Sequence, residues 1–324
     1  MNNLLELLEK YDCHLKRGEK SMRDFLYDNF NNYISDVKNS INPKDNLDLG
    51  QTMCEMVSEK IVEIEKNANE LVEVLDLYNK GKIIPSAEKA FKVFEKMKPQ
   101  LMQRYSKSYR IESYYRIREI KENKLFDLEK KELFHIPYTK NHLVRTERYS
   151  MPGHPCLYLA SEEWICWYEC HKPKRYALSE FRMLQPETNI FKFIDFSEKL
   201  KPLKYSFLSW FNNEKDIEVV RKYFLKYICT YPLRAACSVV VEHTGAAFVE
   251  EYIIPQFLLQ WVLADENFDG IIYESCSSEE EVKNRGGYNA VLVTSNFDDN
   301  GYDMELLGKF EISKPSIVDR NKFF

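Results

Sequence analysis

The sequence predicts an α+β protein, a helical N-terminal region followed by a mixed half, and three observations predict it. Up to about residue 105, apolar residues recur at three- and four-residue spacing. After Tyr109 the texture turns to β-branched and aromatic runs broken by Gly, Pro, Asn and Asp. The 324 residues are comfortable for two domains of roughly 100 to 200 residues each. With 44% hydrophobic and 30% charged residues the composition is that of a folded chain, not a disordered one.

The helical stripes run Leu4, Leu5, Leu8; Phe25, Phe30, Ile34, Val37; Met53, Met56, Val57, Ile61, Ile64; and Phe91, Phe94, Met97. Breaks fall at Asn42 and Pro43 and across 81–85, which predicts a bundle of four or five helices. Glu6 and Glu9 interrupt the first stripe, so the opening residues read as an amphipathic helix and not as a secretory signal. The second half offers the runs HLVRTERY, CLYLA, CSVVVE, DGIIYE, NAVLVT and ELLGKFEI, with helices expected over 162–170, 216–227 and 250–264. KNRGGY at 283–288 reads as a hairpin turn joining strands at 270–273 and 289–294. The texture places the domain boundary so that 1–108 is helical and 109–324 is mixed.

A net charge of −5 draws the chain neither to nucleic acid nor to an anionic membrane, and no apolar window is long enough to span a bilayer. Eight cysteines without a disulfide-scaffold rhythm point to a reducing cytoplasm. Asp265 to Gly270 and Asn296 to Gly301 mimic calcium loops but place Cys276 and Leu307 where a bidentate carboxylate is required, so both read as Asp/Asn turns. Cys166, Cys170 and His171 lack a second ligand pair for zinc, and no metal site is expected. There is no GxxxxGK loop, no GxGxxG turn and no GxSxG elbow, so a nucleotide would be held by side chains.

The stretch RYSMPGHPCLYLASEEWICWYE, residues 148–169, reads as a turn at 151–153, a strand over 156–160 and a helix capped by Ser161 that carries Glu169. A carboxylate beside Trp164, Trp167 and Tyr168 either faces solvent, pairs with Lys172 or Lys174, or serves a site. Taken in order, Tyr115-Arg116-x-Arg118, then Arg148 through Gly153 and Pro155 to Leu157-Tyr158-Leu159-Ala160, then Glu169, then 270–275 (GIIYES) resembles the RES domain over about 110–300. That family is named for its Arg, Glu and Ser. The helical half is similar to the HEPN-like region ahead of some RES domains, though His14 is its only histidine and no arginine precedes it, so the Arg-x4-His pair of HEPN ribonucleases is missing.

The resemblance implies a fold similar to the ADP-ribosyltransferases and an enzyme that consumes NAD by phosphorolysis or hydrolysis. NAD is then the substrate, inorganic phosphate a candidate co-substrate, and no prosthetic group is called for. It assigns Arg116, Glu169 and Ser275 to catalysis, and Tyr115, Arg118, Arg148 and Tyr158 to holding the dinucleotide. Here Glu274 stands where a Pro often precedes the family's Ser, which leaves Ser277 and Ser278 as rival alignments. His243 is a further candidate on its chemistry, against the alternative of a satisfied core histidine. An NAD-consuming enzyme also implies restraint by an antitoxin or regulatory protein, and a homo-oligomer is a further expected partner state. Transfer of ADP-ribose to a macromolecule and a non-catalytic interaction module are the competing readings.

Overall fold

The computed structural model describes residues 3–12, 14–42, 44, 46, 50–105, 113–121, 129–184, 190–197, 217–242, 246–276 and 285–320. It divides into two compact units, Met1–Met102 with Glu198–Leu258, and Gln103–Ser197 with Leu259–Phe324. The single boundary after 108 read from texture thus differs from the observed grouping, in which a later segment returns to the N-terminal helices.

The first unit holds α1 (Leu4–Lys10), α2 (Met22–Ser40), α3 (Gly50–Asn79), α4 (Ile83–Met97) and α6 (Ile217–Cys237). Asn3 and Ser21 cap α1 and α2 by accepting from the N–H of Glu6 and Asp24, satisfying donors the first turn would otherwise leave bare. The buried positions of α2 (Leu26, Phe30, Tyr33, Ile34, Val37) follow the helical repeat and pack on α3, as do α4 and α6. Each such side chain taken out of water contributes about 1.5–3 kcal/mol. From Tyr227 to Cys237 every residue of α6 is buried, and Tyr33 donates to the carbonyl of Ile228 at 2.8 Å.

The second unit is built on one sheet. Its described strands are β1 (Gln103–Tyr105), β2 (Ser113–Glu119), β3 (Leu157–Ala160), β4 (Arg175–Met183), β5 (Lys192–Phe196), β6 (Gly270–Tyr273), β7 (Asn289–Leu292), β8 (Phe310–Ile312) and β9 (Ser316–Asp319). Their order is β1-β5-β6-β7-β3-β2-β4-β8, with β9 also on β4. Among these pairs only β5 and β6 run parallel. A parallel pair demands a long crossover. Here the crossover contains Glu198–Leu258, the segment that completes the first unit, and ends with α7 (Ile253–Ala264), within which the unit boundary falls.

Strand alternation divides the side chains between two faces. Tyr114, Leu157, Leu159, Phe181, Phe193 and Ile272 share one core. On the opposite side Ile117, Ala160 and Tyr176 pack with Ile165 and Cys166 of α5 (Glu163–Glu169). The chain closes with α8 (Met304–Gly308) before β8.

Three expectations need correction. CSVVVE is not a strand: α6 runs on to Cys237, and Val239 and Val240 are buried without sheet partners, Val240 N–H donating to Leu15 O. HLVRTERY is not a strand either, since a 3₁₀ helix takes residues through Leu143. ELLGKFEI splits into α8 and β8. The pairing of β6 with β7 is antiparallel as the hairpin reading requires, from Gly270 opposite Leu292 to Tyr273 opposite Asn289. Residues 283 and 284 of the expected turn lie outside the described residues. Among the described residues no helix is long and apolar enough to cross a membrane.

Candidate active site

Glu169 is the last residue of α5, and the sequence around it explains its position. Ser161 does not cap the helix. Its hydroxyl accepts from Tyr288 N–H and its own N–H donates to Tyr288 O, both at 2.9 Å, so it clasps the approach to β7, and the helix starts at Glu163 with Glu162 as an N-cap that makes no side-chain bond. Gly287, at φ +93°, is required in that clasp: a Cβ there would stand 2.5 Å from Ile165 Cδ1. Behind Glu169 the chain turns through His171 and Lys172, both left-handed at φ 59° and 55°. Two such residues cost about 1–3 kcal/mol each. Lys172 over the Tyr168 ring at 4.6 Å and Trp167 Nε1 donating to Pro173 O at 3.0 Å help to hold them.

Across the sheet, Asn289 opens β7, opposite Ala160 on one side and Tyr273 on the other. It is buried, and its Nδ2 donates to Glu169 Oε1 at 2.9 Å, which fixes the carboxylate over the ends of β3, β6 and β7. Strand β2 meets β3 only at Tyr115 opposite Ala160. At the next residue Arg116 donates from Nη1 to Tyr158 O at 2.9 Å, so a guanidinium satisfies a β3 carbonyl near the place where the ladder ends. Tyr158 in turn donates through its hydroxyl to Tyr149 O, which straps the turn carrying Glu147, Arg148 and Tyr149 onto β3. That turn is closed by Ser150, whose Oγ donates to Glu147 O and accepts from Glu147 N–H. The Tyr149 ring lies 4.6 Å from that of Tyr273.

The electrostatics tie these groups into one cluster. Burial lowers the pKa of Arg116, and it raises those of Tyr158 and Tyr273 well above the ordinary tyrosine value. Tyr273 feels the charges of Glu169, Arg148 and Glu147 as well, and Tyr158 those of Glu147 and Arg116. The Cys170 side chain is itself exposed, yet the protein packed around it pushes its thiol up to about 11, with Glu169 and Glu147 adding to the rise and Arg116 opposing it. Arg116, Tyr158 and Tyr273 are nevertheless only half-buried.

Of the residues singled out by sequence, Arg116, Arg148, Tyr158 and Glu169 are brought together here. Ser275 is buried two residues past the end of β6. Tyr115 is not part of the cluster: it packs with Ile117 and Ile165, and the charges it feels are Glu180, Glu162, Glu163 and Arg182. Arg118 is exposed at the strand's end, where it donates to Glu132 Oε2 at 2.8 Å. His243, Ser277 and Ser278 lie outside the described residues. Sequence reasoning missed Asn289, which no local pattern marks and which is recognised by its register opposite Tyr273; Tyr273 lay within GIIYES but was given no role.

Elsewhere, in the first unit, a cavity of about 240 Å³ is lined by Lys10, Tyr11, Asn29, Asp36 and Tyr231. Several of its polar groups are bonded to one another: Lys10 and Tyr11 both reach Asp36, and Tyr231 donates to Asn29. The two calcium-like stretches form Asx turns, with Asn267 N–H on Asp265 and Asn300 N–H on Asp298. Among the described residues no group of three or more His, Cys, Asp or Glu side chains could hold a metal ion.

No protein-family model and no solved structure matches the chain. A curated protein of Bacillus subtilis (strain 168), named "Putative toxin YopC", is 30% identical over 326 residues, covering 95% of this chain and 69% of the relative. On that similarity the chain belongs to the family of the Bacillus subtilis protein so named.

Proposed function

We propose that this chain is a toxin-like enzyme that cleaves the nicotinamide–ribose bond of NAD. The observation that carries the reading is Glu169, held by Asn289 beside a cluster of Tyr158, Tyr273, Arg116 and Arg148. When the bond between the pyridinium nitrogen and C1′ breaks, its electron pair leaves with a neutral nicotinamide and positive charge develops on the ribose. A fixed carboxylate beside C1′ is worth more in that transition state than in the ground state, which is what acceleration requires. Asn289 supplies the fixity.

The other residues suit the rest of the dinucleotide. With its hydroxyl committed to Tyr149 O, the Tyr158 ring cannot swing freely and offers a defined face for the departing ring. Arg116 is a cation in a desolvated place, so an anionic ligand there relieves a standing cost. The pyrophosphate is the natural occupant, with Arg148 as the second cation. Degradation of NAD would also account for toxicity of the kind the relative's name records. Such an enzyme needs restraint by an antitoxin or regulatory partner.

The test is incubation of the purified chain with NAD, beside Glu169→Gln. Release of nicotinamide by the parent, reduced about a hundredfold or more in the variant, is expected. Unchanged NAD from folded protein would defeat the reading. Label from NAD retained on a macromolecule would favour ADP-ribose transfer instead.

A further inference from the structure

The cavity of about 240 Å³ in the first unit is a built recess with a floor, a wall and a mouth. Asn29, Asn32 and Asp36 follow one another on α2 at three- and four-residue spacing, so they share one face of that helix, with Ser35 beside them. Tyr11, which ends α1, and Tyr231 of α6 are both buried, their rings 5.2 Å apart with 74° between the planes, and they make the floor aromatic. Lys10 and Asp36 stay partly in solvent at the mouth.

The floor is braced from behind. Pro232 has no N–H to give to the carbonyl four residues back, that of Ile228. Tyr33 of α2 supplies the missing donor at 2.8 Å, and its ring lies 4.1 Å from Tyr231 and 4.9 Å from Tyr11. Tyr231 in turn donates to Asn29 Oδ1 at 3.0 Å, which sets the orientation of that amide and leaves Nδ2 as its donor end.

Charge does not select the occupant, because Lys10 and Tyr11 both bond Asp36 at Oδ2 and the cavity's cation and anion already answer each other. What the walls offer beyond that pair is neutral: two amides, each with donor and acceptor in one plane, and a hydroxyl, over two rings. The volume exceeds the roughly 150 Å³ that holds a benzene ring and falls short of the roughly 300 Å³ at which pockets for drug-sized ligands begin. A flat heterocycle with a polar edge meets both limits.

We infer that this cavity binds a nucleobase of the adenine type, whose amino group donates and whose ring nitrogens accept along one planar edge. An asparagine amide matches such an edge with two bonds at once. Asn32 makes that pair, Asn29 Nδ2 donates to a further ring nitrogen, and the tyrosine floor takes the face of the base. All of these residues belong to the first unit, so the inference stands apart from the NAD-cleaving reading.

The experiment is calorimetric titration of the full chain with adenosine, with inosine, which carries a keto oxygen in place of the amino group, and with ribose. Saturable binding of adenosine is expected, at least about tenfold weaker binding of inosine, and none of ribose. Two variants locate the site. Asn32→Leu removes an exposed amide and Ser35→Phe pushes a ring into the cavity from an exposed position, and neither touches the bonds among Lys10, Tyr11 and Asp36 or between Tyr231 and Asn29. Each variant, shown by circular dichroism to be folded like the parent, should bind adenosine at least about tenfold more weakly. No binding of adenosine by the parent, inosine or ribose bound as tightly as adenosine, or adenosine binding that both variants retain would overturn the inference.

Discussion

Asn289 Nδ2 lies 2.9 Å from Glu169 Oε1, and that bond makes a helix-terminal carboxylate into a fixed charge. Removing it with Asn289→Ala should cost about tenfold to a hundredfold in kcat, the worth of a hydrogen bond to a charged group, with KM less affected. Steady-state kinetics on the folded variant check this, and an unchanged kcat would release Asn289 from the site. Arg118→Ala should do far less to turnover, because its guanidinium is spent on exposed Glu132. Glu169, Arg116, Arg148 and Tyr158 could be chosen from the sequence because their order resembles a family pattern. Asn289 could not, since it has no motif and enters only when β6 and β7 pair; Tyr273 lay inside GIIYES but nothing there gave its ring a role. Tyr115 and Arg118 show the converse. Tyr115 lies in the cross-strand row of Ala160, Asn289 and Tyr273 but packs with Ile117 and Ile165, and Arg118 near the strand's end is spent on Glu132.

At the level of elements, α5 and the entry to β7 form one clamp, made by Ser161, Tyr288 and Gly287. Gly287→Ala should destabilise the second unit by about 1–3 kcal/mol, through both the left-handed backbone and the clash with Ile165. Chemical denaturation measures it, and an unaltered midpoint would contradict the clamp.

A second element-scale prediction concerns His135, whose Nε2 accepts from Asp303 N–H at 2.9 Å while Nδ1 lies 2.8 Å from Ile136 O. That pattern fits the neutral ring with the proton on Nδ1. Asp303 in turn caps α8 through Leu306 N–H and holds Ser295 N–H. Burial lowers the folded pKa of His135 below its ordinary 6.5, so the unfolded state binds the proton more readily. Its contribution to stability is whole above about pH 6.5 and is lost as pH falls through the window between 6.5 and the depressed value. Urea unfolding across that window should show a decline that His135→Phe removes; a parallel decline in both would contradict it. At this scale the sequence was legible where a period and its burial agree, as in CLYLA and GIIYE. It misled at CSVVVE, where the β-branched residues are buried as coil after α6.

For the whole molecule, the helical texture of the first hundred residues was legible, but the return of Glu198–Leu258 to those helices was not. Nothing local in that segment marks which unit it joins; the link is the long-range packing of α6 on α3 and the bond from Tyr33 to Ile228. A fragment of 109–324, the mixed half as read from texture, should therefore fail to fold cooperatively, because α6 would keep its buried face and lose what covers it. A soluble fragment with a single sharp thermal transition would contradict the two-unit organisation. The most direct test of the central claim is nicotinamide release from NAD by the intact chain, measured beside Glu169→Gln. Release by the parent that drops about a hundredfold or more in the folded variant is the predicted result. No release by the parent, or equal release by both, would contradict it.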